Sequence, residues 1–325
     1  MTSIGESVFQ RCSNLTSVTI GNSVTSIGES AFLNCEKLET VTIPNSVTSI
    51  GISAFRECSK LSSVTIGNNV TSIGNSAFQN CSSLTTLTIY APSCTLGTDA
   101  FYGFPSVDPL ENIYVFSDKV TNYQGADNWS YYSAKISAIP DVTANEGATG
   151  EYWATYYNEL ANVQMPEGTQ VFKVALTGST LEMTEITDRI VKAGEGVVLK
   201  SNSASITLAS AASTPTGDFS DNSLQGTMTS ITNPGDAYVL NKKTAGVGFY
   251  KLKASGTIGA HKAYLVVPAT TREFFLFDET TGIEMPMIEN NAKADAVIYD
   301  LQGRRVAQPT KGLYIVNGKK VFINK

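Results

Sequence analysis

A cysteine recurs every 23 residues through the first part of this 325-residue chain, at Cys12, Cys35, Cys58 and Cys81. Two further residue types recur with the same period, which makes the cysteines one row of a wider repeat. These rows are Ile4, Ile27, Ile50 and Ile73, and Phe9, Phe32, Phe55, Phe78 and Phe101. A fixed period of this length is the signature of a solenoid, in which each unit forms one coil. The repeat therefore predicts a stack of coils that presents a surface, rather than a catalytic pocket.

Each repeat combines strand-like stretches with turn-forming residues. The recurring Ile and a Val-x-Ile pair alternate with polar residues, which is strand spacing. A row of glycines predicts a turn or a positive φ, at Gly5, Gly28, Gly51, Gly74 and Gly97. A row of N-cap residues predicts one short helical turn per coil, at Ser7, Ser30, Ser53, Ser76 and Asp99. Turn dipeptides separate the strands, at Gly21-Asn22, Pro44-Asn45 and Gly67-Asn68.

The repeat pattern Ile-Gly-x-x-Ala-Phe-x-x-Cys-x-x-Leu-x-x-Val-x-Ile resembles the BspA-like, Treponema-type leucine-rich repeat. The resemblance covers roughly residues 1–115 in about five units. The last unit departs from the pattern, because Phe104 takes the cysteine position and Leu110–Val115 is out of step, as if residues were inserted. The segment Ser117–Ile136, with Tyr123, Trp129 and Tyr131, is predicted to be a cap that seals the last coil.

The first residue already lies inside a repeat, since Met1 occupies the position of Val24 one period earlier (24 − 23 = 1). No polar cap precedes this first coil, although solenoids need such caps for solubility. We therefore expect an N-terminal truncation. The absence of a signal peptide then says nothing about the compartment.

The cysteine row allows two interpretations. Four ligands in a straight row cannot close a tetrahedron, and parallel Cβ vectors disfavour disulfides between neighbours, so geometry disfavours a metal site and cross-links. The favoured interpretation is a row of buried free thiols that pack as small hydrophobes. Cys94 is off the row, and the sequence leaves its exposure and its reactivity open.

A row of threonines, Thr19, Thr42, Thr65 and Thr88, lies between core positions of the Val-x-Ile strands. By strand alternation these side chains should point away from the core. They are either a solvated face that uses Thr because Thr suits strands, or a flat ligand platform of the kind that solenoids use for partners. The sequence predicts no aromatic or Arg anchor on this face, so binding there would be broad and polar.

Composition restricts the function classes further. The formal net charge of −6 argues against nucleic acid or anionic membrane as a partner, because both require basic patches. The single histidine, His261, makes a His-dependent triad or zinc site a poor match. No apolar run approaches the ~20 residues of a membrane helix.

The middle of the chain, residues 141–281, begins with a polar linker and continues as many short strands, a pattern that predicts an antiparallel β-sandwich. Ala193–Lys200, Gly248–Lys251 and His261–Leu265 resemble an accessory β domain of Bacteroidales surface proteins. Trp153, with neighbouring tyrosines, suggests a carbohydrate-stacking site, although large aromatics are more often buried. The Asp218–Asn222 loop is interpreted as a solvated acidic loop rather than a calcium site.

The last segment, residues 282–325, starts with a second linker and contains a hairpin signal at Asn317-Gly318. The motifs Asp-Leu-Gln-Gly-Arg-Arg-Val and Lys-Gly-Leu-Tyr-Ile-Val-Asn-Gly-Lys-Lys-Val resemble the C-terminal sorting domain of type IX-secreted Bacteroidetes proteins. This resemblance implies export to the surface or medium.

Together these features predict a mainly β chain: a leucine-rich-repeat solenoid of 23-residue coils with its cap over residues 1–140, an antiparallel β-sandwich, and a small C-terminal β domain. The leading function is a non-enzymatic surface or secreted adhesion module that binds protein or glycan ligands on host or neighbouring cells. The alternative is a glycan-binding protein that uses the middle domain, and the third is an enzyme of unknown type. We expect no cofactor, no metal and no nucleic acid; the oligomeric state stays open.

Overall fold

The computed structural model describes residues 2–103, 109–147, 150–177, 180–243, 246–267, 274–276, 298–299, 305–306, 312–316 and 319–323. The chain is mainly β and divides into two compact units. The first unit contains residues 1–141 together with the short segments 160–164 and 207–214. The second contains the remaining residues.

The repeats form two parallel sheets in the first unit. Sheet A consists of two-residue strands, Ser3–Ile4, Ser26–Ile27, Ser49–Ile50, Ser72–Ile73 and Thr95–Leu96. Sheet B consists of longer strands, Thr40–Ile43, Ser63–Ile66, Thr86–Ile89, Asn112–Val115 and Ile136–Ala138. The predicted strand spacing is therefore confirmed, and equivalent residues of successive repeats pair in register.

The departure of the last repeat from the pattern is absorbed outside sheet B. Ile113 pairs with Leu87 although the two are 113 − 87 = 26 residues apart, three more than the period. The in-register pairing of Asn112–Val115 with Thr86–Ile89 shows that the extra residues lie between the two strands. Phe104, the predicted cysteine replacement, lies outside the described residues.

The stretch between sheets A and B is a series of hydrogen-bonded turns, so the prediction of a helical turn with a Ser or Asp N-cap is wrong. Backbone amides in this stretch donate to carbonyls of the next repeat: Ser30 to Ile52 at 2.9 Å, Phe32 to Ala54 at 2.7 Å and Asn34 to Arg56 at 2.9 Å. The pairing between repeats therefore continues through the turns, which leaves few backbone groups without partners.

The positive φ angles fall on a different row from the one predicted. The serine row has them, with φ of 54° at Ser30 and 53° at Ser53, while the glycine row does not. The glycines are required for a close backbone approach instead. A Cβ on Gly51 would lie 2.6 Å from the carbonyl carbon of Gly28, and one on Gly74 would lie 2.7 Å from that of Gly51.

The core of the first unit consists of stacked rows. The phenylalanine rings stack with centroid separations from 5.0 to 5.5 Å. Phe32, Phe55 and Phe78 are buried, as are the isoleucine, valine and leucine rows. No single repeat could bury these faces alone, so neighbouring repeats stabilise one another.

The segment after the last repeat packs against the end of this core. It contains 3₁₀ helices at Ser117–Lys119 and Trp129–Lys135 and an α-helix at Val120–Gly125. Trp129 is fully buried, and its ring lies 6.1 Å from that of Phe101. Tyr131 is 85% exposed, and it is Tyr132 that contacts Phe101, edge-on at 5.7 Å.

Two later segments complete the first unit. Val163–Gln164 pairs antiparallel with Ala209–Ser210. The Asp118 carboxylate accepts hydrogen bonds from the Ser210 backbone amide at 2.9 Å and from its hydroxyl at 2.7 Å. Burial opposes ionisation of Asp118, but the hydrogen bonds from Ser210 outweigh it and lower the pKa of this carboxyl.

The second unit contains two five-stranded antiparallel sheets. Sheet C has the order Asn145–Glu146, Tyr152–Tyr157, Gly196–Ser201, Thr169–Thr177 and Thr180–Glu185. Sheet D has the order Leu224–Thr227, Lys262–Val266, Ala237–Lys243, Gly246–Lys251 and Phe274–Leu276. Side chains of both sheets share one hydrophobic cluster, which includes Trp153, Val198, Tyr238 and Phe249. The prediction of many short strands in this part of the chain is confirmed.

Smaller pairs and a three-stranded antiparallel sheet complete the second unit. Val142–Thr143 pairs with Ser205–Ile206, Ile231–Thr232 pairs with Thr257–Ile258, and Ile190–Val191 is a further short strand. The last sheet contains Ile298–Tyr299, Gly312–Val316 and Lys319–Ile323. Its last two strands pair as the hairpin signal predicts, with Val316 opposite Lys319. Asn317 and Gly318 themselves lie outside the described residues, as does the predicted linker 282–296.

We predict that Gly51→Ala lowers the free energy of unfolding of the first unit by about 1–3 kcal/mol, because its Cβ would meet backbone atoms that cannot rotate away. The measurement is urea denaturation followed by Trp129 fluorescence in a Trp153→Phe background. Gly21→Ala is the matched control, since a Cβ there meets nothing within 4 Å. Equal losses in the two variants would contradict a role for close approach.

A second prediction concerns the left-handed residue before each cysteine. Asn34, Glu57 and Asn80 share φ of 61–62°, a conformation that Asn tolerates better than Glu. We expect Glu57→Asn to raise the unfolding free energy by roughly 0.5–1 kcal/mol, and Asn34→Glu to lower it similarly. The same denaturation assay measures both. The exposed Arg56–Glu57 pair at 3.4 Å reduces the gain only slightly.

Candidate binding surface of the repeats

Sheet B presents one face to the core and one outward. Val41, Ile43, Val64 and Ile66 are buried, while the residues between them are exposed or half-buried. This alternation places Thr42, Thr65 and Thr88 on the outward face, where the strand pattern predicts them. Thr19 is exposed and lies outside the described strands, two residues after the isolated bridge between Ser17 and Thr40.

The outward side chains align into a row across sheet B. Thr42 pairs with Thr65, Thr65 with Thr88, and Thr88 with Tyr114. Adjacent members are therefore about 4.8 Å apart. Tyr114 is half-buried and continues the threonine row with an aromatic ring. The repeat period does not predict this position, because the extra residues before Ile113 shift its register.

The outward face of sheet B has no formal charge among the described strand residues. Its members are hydroxyl or amide side chains and one phenol: Thr40, Thr42, Ser63, Thr65, Thr86, Thr88, Asn112, Tyr114 and Ser137. The charged residues of the repeats, such as Lys37, Glu39 and Lys60, precede the strands instead. The outward face of sheet B is therefore a polar surface without charged side chains among the described strand residues.

The cysteine row is buried and free from Cys35 to Cys81. Each thiol donates to a phenylalanine carbonyl of the preceding repeat: Cys35 to Phe9 at 3.2 Å, Cys58 to Phe32 at 3.3 Å and Cys81 to Phe55 at 3.1 Å. Burial, together with the neighbouring thiols, raises the pKa of Cys35 to about 12. The packing interpretation is confirmed for these three residues, whereas Cys12 is exposed.

Cys94, whose exposure the sequence leaves open, is 6% exposed and therefore buried. It follows Pro92 and Ser93, and the cap packs over it: the Trp129 indole donates to the Cys94 carbonyl at 2.6 Å. Burial raises the pKa of the Cys94 thiol to about 12, so almost no thiolate exists at neutral pH.

Trp153, the predicted sugar platform, is 3% exposed. Its ring lies 6.5 Å from that of Phe172 within the shared cluster, and the Lys200 ammonium lies 5.0 Å from its centroid. The other face of the same strand is also buried, since Tyr156 is 2% exposed. A ring in this environment has no free face for a sugar, so its burial argues against the stacking role.

The Asp218–Asn222 loop surrounds a buried lysine. The Lys173 ammonium is hydrogen-bonded to Asp221 and lies 4.0 Å from Asp218. Asn222 fixes the loop by accepting from the Val174 amide at 3.2 Å and donating to the Gly196 carbonyl at 2.8 Å. The carboxylates therefore compensate Lys173, whose side chain is only 8% exposed, and this supports the interpretation without calcium.

His261 is positioned by backbone contacts in the second unit. Its carbonyl accepts from the Tyr157 amide at 3.2 Å, and its ring stacks on that of Tyr156 at 6.4 Å. Burial, together with the adjacent Lys262, lowers the pKa of His261 and so favours the neutral imidazole.

Residues 1–108 match the family model of the BspA type leucine rich repeat region, in six copies. This part of the chain is therefore similar to BspA-like leucine-rich repeat proteins, a family that suggests a protein-interaction module. No curated protein is similar enough to the chain to count as a match. In the described part of the chain, no helix is long and apolar enough to span a bilayer, and no three His, Cys, Asp or Glu side chains are grouped to hold a metal ion.

We predict that Asp221→Asn lowers the unfolding free energy of the second unit by about 1–2 kcal/mol, since it removes the nearest carboxylate from buried Lys173. Asp221 is 57% exposed, so solvent screening keeps the loss below that of a fully buried pair. Thermal denaturation measures the effect. In a Lys173→Met background the same substitution should cost nothing, and calcium chloride should not raise the melting temperature of either protein. A calcium-dependent rise would restore the calcium interpretation.

Proposed function

We propose that the chain is a non-enzymatic adhesion or protein-interaction module of the cell surface or medium, which binds ligands through the outward face of sheet B. The family match over residues 1–108 supports an interaction role. The observation that carries the proposal is the in-register, uncharged row formed by Thr42, Thr65, Thr88 and Tyr114. The ligands are proteins or glycans on host or neighbouring cells.

The architecture favours this use. We propose that the repeats form a leucine-rich-repeat solenoid, and that sheets C and D, which share one hydrophobic cluster, form a β-sandwich. A stack with a core of buried phenylalanines and cysteines holds its outward side chains in fixed register. A rigid surface binds at a lower entropic cost than a mobile one, because few side chains need to be ordered.

The chemistry of the face favours broad contact over a single deep anchor. All nine of its side chains carry a hydroxyl or an amide, and only Tyr114 adds an aromatic ring. Tyr is enriched in binding hot spots, whereas Ser and Thr are under-represented there. Tyr114 is therefore the residue that we expect to dominate affinity, with the threonines excluding water and providing hydrogen bonds.

The surface location is supported by sequence resemblance at the end of the chain. We propose that residues 282–325 form a sorting-type β domain that directs export. Its described strands, Ile298–Tyr299, Gly312–Val316 and Lys319–Ile323, pair antiparallel. The boundaries at residues 140 and 281 remain part of this proposal.

The proposal is tested on the full chain with one substitution on the face and one away from it. Thr65→Arg places a long cation in the middle of sheet B and should weaken binding to a ligand by about tenfold or more, because an unpaired charge must be desolvated. The ligand is first found by screening the wild-type chain against matrix proteins and a glycan array. Surface plasmon resonance then compares the affinities.

Ile52→Arg is the matched control, because Ile52 is 47% exposed in the turn stretch of the same repeat, away from sheet B. It should bind as the wild type does. Unchanged binding by Thr65→Arg, or an equal loss in both variants, would remove sheet B from the proposal. Turnover of any substrate by the intact chain would contradict the non-enzymatic assignment.

A further inference from the structure

A cleft of about 440 Å³ lies between the last complete repeat and the cap of the first unit. Pro92 and Leu96 line it on the repeat side, and Ala126 and Trp129 line it on the cap side. It is separate from the outward face of sheet B, since none of the outward residues named above lines it. The cleft is large enough for a long side chain and has mainly apolar walls.

The backbone carbonyls next to the cleft are already bonded to the cap. Tyr123 donates its hydroxyl to the Ala91 carbonyl at 3.0 Å, and Asn128 donates to the Leu96 carbonyl at 2.6 Å. Together with the bond from Trp129 to Cys94 at 2.6 Å, these contacts fix the two sides of the cleft. These three carbonyls are therefore already used within the protein.

Three polar side chains line the cleft without using their functional groups inside the protein. Asp127, Asn122 and Ser93 make no side-chain hydrogen bond or ion pair with any other residue that the structure describes. Asp127 and Asn122 are exposed residues of the cap, and Ser93 is an exposed residue of the repeat side. The cleft thus has apolar walls, one carboxylate, and an amide and a hydroxyl that are both able to accept hydrogen bonds.

We propose that this cleft binds an arginine or lysine side chain of a partner protein. The aliphatic stem would lie along Pro92, Leu96 and Ala126, and the cationic head would bond to Asp127. Long basic side chains commonly bury their stems on apolar surface while the head is bonded to a carboxylate. The single charge that lines the cleft is negative, so a cation is complementary and an acidic side chain is excluded.

A sugar fits this cleft less well. Sugars bind through a stacking aromatic face, but Tyr123 and Trp129 are 2% and 0% exposed. Trp129 packs against Phe101 at 6.1 Å, and Tyr123 packs edge-on with Trp129 at 5.2 Å. The aromatic residues thus shape the floor of the cleft and offer no open ring face.

The experiment uses the two tryptophan indoles of the full chain as reporters in ¹⁵N-correlation NMR. Trp129 lies at the cleft, whereas Trp153 belongs to the hydrophobic cluster of the second unit and serves as the internal control. Nα-acetyl-arginine methylamide is titrated in, and the corresponding citrulline derivative is its neutral counterpart. The indole signals are assigned from a Trp153→Phe variant.

We expect saturable shifts of the Trp129 signal with arginine, at a dissociation constant of roughly 1–10 mM for a ligand of this size. The Trp153 signal should stay in place, and citrulline should bind about tenfold more weakly. Asp127→Asn should weaken arginine binding about tenfold, while Glu111→Gln, an exposed acid outside the cleft, should not.

Equal binding of arginine and citrulline, or unchanged binding by Asp127→Asn, would overturn the proposal. The absence of a Trp129 shift in the wild type would overturn it as well. The proposal does not depend on sheet B, because Thr65→Arg leaves the cleft intact. A partner protein that loses affinity in Asp127→Asn but not in Thr65→Arg would use the cleft alone.

Discussion

The close approach of successive repeat backbones is the constraint on which the first unit depends. Hydrogen bonds join neighbouring repeats along sheet A, along sheet B and through the turns between them. Gly28, Gly51 and Gly74 permit this approach, since a Cβ there would lie within 3 Å of the adjacent backbone. With the backbones fixed at this distance, the phenylalanine rings stack and the thiols reach the carbonyls of the preceding repeat. The outward row of sheet B follows from the same register.

Much of this arrangement can be predicted from the sequence, because residues one period apart occupy equivalent positions in successive repeats. The 23-residue period predicted both strands of each unit, the buried cysteine row and the outward threonines. The backbone conformation of the turns was not readable. Ser30 and Ser53 look like N-caps in sequence, but they adopt positive φ because the turn must hydrogen-bond to the next repeat. The glycines beside them look like flexible positions, yet they are required for space.

The candidate sites were less predictable, because they depend on contacts between distant residues. Trp153 and its neighbouring tyrosines suggest a sugar site in the sequence. In the structure the Trp153 ring packs against Phe172, which places it in the core. Tyr114 extends the threonine row only after three additional residues have been accommodated. Asp127 and Pro92 are far apart in sequence, so the cleft that they line appears only when the cap is placed. In each case the missing information was register or tertiary placement rather than residue type.

The three additional residues before Ile113 have a wider consequence for how such a chain can change in length. Within the stack, an insertion that is not a whole number of repeats would move a phenylalanine, a cysteine and a glycine out of their rows at once. Whole repeats can be gained or lost, because the new neighbours offer the same surface to each other. Irregular insertions are tolerated beside the cap, where one row ends. The array should therefore vary in steps of one repeat, so that the outward face of sheet B becomes longer or shorter without any change in its local chemistry.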